Sequence, residues 1–398
     1  MATRPDTAAP APEAARWLPF SEPSIGEEEI AGVLGCLRSG WLTSGPLVAE
    51  FEEAFATYVG ARHALAVNSC TSALHLALEA AGVGPGHEVI TSPMTFTATA
   101  AVIEHLGARP VLADCDPVTL NVDPRAVAAA VTPRTRAILP VHFAGQACDM
   151  DALEAIAREH GLAVVEDAAH ALPTRYGQRM VGAIGDATCF SFYVTKTITT
   201  GEGGMVTTER DDLAERMRLM RLHGMSRDAW RRYAQGGSWS YDIVAPGFKY
   251  NLPDLAAALG IAQLRRSEEF RARRAAIARA FDAGLAGVSG VRTPVVADPD
   301  AHAWHLYVIR VEPSELTIDR DTFIRELTDR GIGVSVHFIP LHRHTYYRER
   351  YGFAPGDLPV AQRAFERILS LPIYPKMTDA DVERVIEAVR DVAQGNRR

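Results

Sequence analysis

The chain has 398 residues, 47% of them hydrophobic and 23% charged, with a formal net charge of −8. That length predicts two or three globular units at about 150 residues each, and an acidic balance without a basic run argues against nucleic acid as a main partner. Five cysteines (Cys36, Cys70, Cys115, Cys148 and Cys189) lack a CxxC pair or a metal-ligand spacing, which predicts reduced thiols, a cytoplasmic setting and no metal.

Residues 1–16 are rich in Ala and Pro, carry no apolar core of signal-peptide length, and read as a disordered tail. Seven short apolar runs follow, at Ala64–Val67, Glu88–Thr91, Pro110–Ala113, Ala137–Val141, Leu162–Glu166, Ala187–Phe192 and Gly204–Thr208. Segments of helical period lie between the earlier ones, at Thr71–Ala81, Thr97–Leu106, Pro124–Ala130 and Met150–His160. Strand and helix alternating in this way predict a mostly parallel seven-stranded sheet covered by helices, an α/β architecture. Past Asn251 the texture changes. Asp254–Ala283 predicts one or two long helices, His305–Val311 and Gly333–His337 strands, and Thr322–Arg330 and Thr378–Gln394 helices. The chain thus divides into a large domain over 17–250 and a smaller α+β domain over 251–398. No run approaches the roughly 18 apolar residues of a membrane helix.

Ligands of parallel sheets gather at the carboxyl ends of the strands. After the first run, Asn68-Ser69-Cys70-Thr71-Ser72 opens a helix with hydroxyls and free N–H groups suited to a phosphate, though alone it reads as plain N-capping. After the second, Phe96 is placed to stack on a planar ring, though a lone Phe is more often core. The fifth run ends in Glu166-Asp167 with His170 beyond. A buried carboxylate there suits a pyridine nitrogen held protonated, against the plainer readings of a capping Asp and a core histidine. The sixth run leads through Ser191 to Lys196 and the glycine-rich turn Gly201-Glu202-Gly203-Gly204.

Lysine is scarce, with Lys196, Lys249 and Lys376 standing against 38 arginines. A partly buried lysine loses its proton and attacks an aldehyde carbon, which a permanently charged arginine does not. Pyridoxal phosphate is the common aldehyde partner. A Rossmann site competes poorly, because no GxGxxG follows the first run.

The words SGWLTSGP (39–46), NSCTSALHLAL (68–78), EVITSPMTFTATA (88–100), PVHFAGQACDMDAL (140–153), VVEDAAHA (164–171), FSFYVTKTITTGEGG (190–204), APGFKYNLPDLAAA (245–258), HAWHLYVIRV (302–311) and VHFIPLH (336–342) occur in consistent order along the chain. Together they resemble the pyridoxal-phosphate nucleotide-sugar aminotransferases of the DegT/DnrJ/StrS type, nearest to the branch that makes UDP-4-amino-4-deoxy-L-arabinose.

The resemblance implies a PLP-dependent transferase of fold type I. It makes Lys196 the Schiff-base lysine and Asp167 the partner of the ring nitrogen. Thr71, Ser72 and Ser191 become phosphate ligands, the second through its backbone N–H, and Phe96 the ring-stacking aromatic. Asn251 matches an asparagine that reaches the phosphate from the neighbouring subunit, which implies a homodimer with shared sites. His170 and His342 match histidines near the cofactor or sugar nucleotide. For the substrate, Trp239 and the segment from His342 to Tyr347 are expected to orient the sugar, and Arg227, Arg231 or Arg343 to meet its diphosphate. Related sugar 3-dehydratases carry His where Lys196 stands, so transamination is favoured over dehydration. The implied reaction passes an amine from L-glutamate to the C4 keto group of a 4-keto-6-deoxyhexose on dTDP or UDP. The alternatives are C3 amination of a 3-keto sugar nucleotide and a non-catalytic regulator on the same fold.

Overall fold

The structure is a computed structural model that describes residues 16–225 and 241–398. The large unit begins with two helices, α1 (Glu27–Ser39) and α2 (Pro46–Val59). The sheet strands are β1 (His63–Val67), β2 (Glu88–Thr91), β3 (Arg109–Leu112), β4 (Thr135–Leu139), β5 (Ala163–Asp167), β8 (Ala187–Ser191) and β9 (Gly204–Thr208), with a small β6–β7 hairpin (Arg175–Tyr176 and Arg179–Met180) between. Their order across the sheet is β1-β9-β8-β5-β4-β2-β3. Pairings from β8 to β3 are parallel, whereas β9 runs antiparallel to both β8 and β1. Six strands therefore point one way and one is reversed, a mostly parallel sheet with its ligand-bearing edge at the ends of β1, β2, β5 and β8.

Alternation along the strands distributes side chains to two buried faces. Leu65, Val67, Val89 and Val165 face α3 (Cys70–Ala80), α4 (Ala98–His105) and α7 (Asp211–Met220). Ile90, Ile138 and Val164 face α5 (Pro124–Ala130) and α6 (Met150–His160) on the other side. At the β1 end of that second face, Phe51 and Phe55 of α2 meet Phe190 and Phe192, with Phe55 and Phe190 centroids 5.0 Å apart in an edge-on contact. Full burial of one such side chain is worth about 1.5–3 kcal/mol, so this aromatic group anchors the strand that leads to Lys196.

The expected boundary at 250/251 falls one helix before the change of core. Leu252, Ala257, Ile261 and Leu264, most of them on α8 (Asp254–Arg265), pack with α2 in the large unit. The long helical segment is two helices, and the second, α9 (Ser267–Leu285), carries Ile277, Ala278 and Phe281 into a separate core. That core is built on β10 (Val291–Arg292), β11 (Tyr307–Val311) and β12 (Ile368–Leu371), an antiparallel sheet in the order β10-β11-β12. It is covered by α10 (Arg320–Asp329) and α13 (Asp379–Gly395), while α11 (Thr345–Tyr351) and α12 (Pro359–Phe365) precede β12. Leu18 enters this core from the other end of the chain: its N–H donates to Gly331 O at 2.9 Å, and its own carbonyl accepts from Gly333 N at 2.8 Å.

The strand expected at Gly333–His337 is absent. Only Ser335 pairs, as an isolated bridge to Ser370. Gly333 sits so close to Phe20 N that a Cβ would lie 2.7 Å away, and His337 Nδ1 bonds the Ser370 hydroxyl at 2.9 Å. The segment is thus held by a backbone crossing and a side chain, leaving its tip to form a cavity wall. No helix among the described residues is long and apolar enough to cross a membrane.

Candidate active site

A cavity of about 530 Å³ opens at the carboxyl ends of the parallel strands, between the two units. It draws Ser69, Cys70 and Thr71 from the β1–α3 turn, Thr95, Phe96 and Thr99 from the β2–α4 turn, Asp167 and His170 from the end of β5, and Ser191 and Lys196 from beyond β8. Its far wall is Phe20, His305, His337 and Phe338.

The phosphate end is shaped by one glycine. A Cβ on Gly204, at the start of β9, would stand 2.6 Å from Ser69 C and 2.7 Å from Cys70 N. Only a residue without a side chain lets β9 pass directly beneath the start of α3. Ser69 is the N-cap: its Oγ accepts from Ser72 N at 3.1 Å. The N–H groups of Cys70 and Thr71 lie in the first turn, where an anion is met by open donors and the helix dipole. Ser72 does not line the cavity. Its hydroxyl donates to Asn68 Oδ1 at 2.6 Å and its N–H is taken by Ser69, so Ser69 stands where Ser72 was expected.

β8 ends at Ser191, and Lys196 lies five residues on, in a loop rather than at the strand end. The loop is pinned by Phe192 N to Gly203 O (2.9 Å), Thr200 N to Phe192 O (3.0 Å) and Thr199 N to Gln263 Oε1 (3.3 Å). Burial drives the Lys196 ammonium down to about 8, against the opposing pull of Cys70 and Asp167. At pH 7 about a tenth of it is then neutral, far more than for a solvated lysine. Asp167 is 5% exposed. Burial raises its carboxyl, opposed by the Ala169 N–H at 3.1 Å, the Thr99 hydroxyl at 2.8 Å and the Lys196 ammonium.

The three histidines of the cavity are uncharged at neutral pH. Burial holds His170 and His305 well below the ordinary imidazole value, and His337 down to about 4, each reinforced by Lys196. His170 stacks on Phe338 at 5.6 Å and leans on His305 at 4.4 Å. The sequence reading missed His305 and His337, although both lie inside words it singled out. It placed His342 at the site, but this residue is buried in a short turn outside the cavity lining. Arg343 stacks on Phe365, 5.0 Å from the ring centroid, and does not line the cavity either. Asn251 is also outside it: its amide donates to Ser44 Oγ at 2.6 Å and its Oδ1 accepts from Lys249 Nζ at 2.5 Å. Arg227, Arg231 and Trp239 fall outside the described residues. Phe96 stands at the mouth, 62% exposed.

A helix start with open donors, hydroxyls of Thr71 and Ser191, a buried carboxylate and a lysine of lowered basicity fit a phosphorylated pyridine aldehyde. Comparison with known proteins agrees. The DegT/DnrJ/EryC1/StrS aminotransferase family model matches residues 23–390. The spore coat polysaccharide biosynthesis protein SpsC of Bacillus subtilis is 55% identical over 380 residues, covering 95% of this chain and 98% of the relative. Among solved structures, the PMP form of the sugar aminotransferase Spr1654 from Streptococcus pneumoniae superposes with a TM-score of 0.89 at 36% identity, covering 95% of this chain and 99% of that one. DesI, solved in the presence of its TDP-sugar product, gives 0.85 at 35% identity over 97% and 95% of the two chains. The chain belongs to the DegT/DnrJ/EryC1/StrS family: it is a sugar aminotransferase of fold type I, and its cofactor is pyridoxal phosphate.

Proposed function

We propose that this aminotransferase passes an amino group from L-glutamate to the C4 keto group of a dTDP- or UDP-linked 4-keto-6-deoxyhexose, giving a 4-amino sugar nucleotide for polysaccharide or glycoside assembly. The observation that carries the chemistry is the sharing of one cavity by Lys196 and Asp167, with hydroxyls and a helix start at its other end. When bound, pyridoxal phosphate supplies an electrophilic carbon and an electron-accepting ring. Lys196 Nζ is the chain's nucleophile and, when free, takes up and returns a proton. Asp167 holds the ring nitrogen cationic. Thr71, Ser191 and the first N–H groups of α3 hold the phosphate, and Phe96 covers the ring.

Support for a nucleotide sugar comes from the DesI structure and its TDP-sugar product. The name of SpsC favours a polysaccharide as the destination. Neutral imidazoles of His170, His305 and His337 suit sugar hydroxyls better than phosphate oxygens. Lys196 is the one Lys or Arg that lines the cavity among the described residues, so cations for the diphosphate come from outside it, with Arg227 and Arg231 the candidates. The C4 position rests on the likeness of HGMSRDAW (223–230), APGFKYNLPDL and HAWHLYVIRV to a C4-aminating branch.

The active unit is a homodimer. Ile30, Leu34 and Leu37 form an exposed apolar stripe on α1, and Phe96, Tyr193 and Val194 are exposed around the mouth. A second copy is the occupant that covers such surface while bringing its own Asn251 to the phosphate. The test of the substrate is to offer 4-keto and 3-keto dTDP- and UDP-6-deoxyhexoses with L-glutamate and locate the new nitrogen by NMR. Amination only at C3 overturns the C4 assignment.

A further inference from the structure

Behind the cavity, on the opposite side of the sheet from Asp167, lies a second acid that the chemistry so far leaves unused. Glu166 and Asp167 are neighbours on β5, so their side chains leave opposite faces. Glu166 is wholly buried and saturated: Oε1 accepts from Thr188 Oγ1 at 2.6 Å and Gly185 N at 2.8 Å, and Oε2 meets His142 Nε2 at 2.8 Å. His142 is wholly buried too. Its Nδ1 accepts the Cys148 N–H at 3.1 Å, which assigns the ring proton to Nε2 and makes His142 a donor to the Glu166 carboxylate.

The same histidine also touches the backbone of Asp167. Its N–H donates to Asp167 O at 3.1 Å, while Asp167 N donates to Pro140 O at 2.8 Å. One residue therefore grips the end of β5 twice, by its main chain at Asp167 and by its ring at Glu166. We propose that His142 and Glu166 are positioning residues, a buried pair that fixes the Asp167 carboxylate from behind the strand. Stability accounts for Glu166 poorly, since a buried charge and its partners are often replaced by apolar groups without loss. A geometric role accounts for it directly, because displacement of an aligned group by about 1 Å costs on the order of 10²-fold in rate.

The inference rests on Asp167 as the ring-nitrogen partner, so its test carries Asp167→Asn alongside. Holoenzyme is loaded with ¹⁵N-labelled pyridoxal phosphate, and the ring-nitrogen shift, the cofactor dissociation rate, kcat and KM are measured. For Glu166→Gln, whose amide must set a donor against either His142 Nε2–H or the Gly185 N–H, we expect dissociation to quicken about tenfold and kcat to fall about tenfold. KM should hold for both substrates, and the nitrogen signal should move toward its unprotonated value. Thr188→Val, nearly isosteric and lacking one donor, should move the signal the same way by less, and decides the matter if Glu166→Gln does not fold. An unmoved nitrogen signal in the variants that fold, with Asp167→Asn moving it fully, overturns the positioning role alone. An unmoved signal in Asp167→Asn overturns the role of Asp167 and the inference with it.

Discussion

Thr99 donates a 2.8 Å hydrogen bond to Oδ2 of Asp167 from the first turn of α4, and accepts in turn from Thr95 at 2.7 Å. The loop that carries Phe96 to the cavity mouth is thereby coupled to the carboxylate at its floor. With the Ala169 N–H on Oδ1, each carboxylate oxygen has one donor and keeps a lone pair for the ring nitrogen. Thr99→Val should lower kcat about tenfold, in line with loss of a hydrogen bond to a charged group, and Asp167→Asn by at least about 10²-fold. Steady-state kinetics check both, and near-normal turnover in Asp167→Asn removes its assigned role.

Lys196→Ala should abolish transamination while leaving measurable non-covalent cofactor binding. Borohydride reduction and peptide mapping of the native enzyme should place the label on Lys196. Lys249 is bound to Asn251 and Lys376 pairs with Glu22 at 2.8 Å, neither in the cavity lining. A label on either one counts against the assignment.

The lowered Lys196 value has a definite pH signature. In cofactor-free enzyme only the neutral amine attacks, so the rate of cofactor uptake should rise with pH and level off above about 8 rather than above 10.5. Stability follows the same linkage. A folded value below the unfolded one means that the buried ammonium opposes folding fully below about 8. That penalty is relieved as pH rises from there toward 10.5. Lys196→Met should therefore raise the Tm of the cofactor-free enzyme at pH 7, and scanning calorimetry reads the sign.

Gly204→Ala puts a Cβ against the backbone of Ser69 and Cys70. The start of α3 must back away, at a cost of about 1–3 kcal/mol. Equilibrium dialysis should show cofactor affinity weakened about tenfold or more, with a lower Tm. Unchanged affinity would show that the cradle tolerates the shift.

Asn251→Ala and Lys196→Ala homodimers should both be impaired, and mixing them should restore part of the activity, because a hybrid keeps one site with both native residues. Absence of any recovery after subunit exchange, or a fully active monomer in sedimentation, removes the shared site.

The sheet was legible because buried strands are short, apolar and spaced by helices of clear period, as in Glu88–Thr91 and Gly204–Thr208, whose limits match the structure residue for residue. Asp167 and Ser191 at strand ends, and Thr71 in the helix turn after β1, were legible for the same reason, since topology carries them to one edge. The far wall was not. His305 and His337 belong to the second unit, and their arrival depends on how two cores dock, which no local period records. His342 shares a word with His337 and Arg343 follows it directly, yet the short turn at Leu341–Arg343 buries the first and sends the second onto Phe365. Nor did the composition of α8 reveal which core it joins, because Ala-rich helices suit either side.

Leu18 bridges to Ile332 in the core of the second unit, and Arg16 pairs with Asp381 of α13 at 2.9 Å. In the order of synthesis, Leu18 leaves the ribosome long before any of its partners exist. The arm therefore pairs with segments made more than 300 residues later, and its contact with α13 needs that helix to be present. Arg16 and Asp381 stand 365 residues apart in the chain, so the closure of this core is among the least local contacts of the fold.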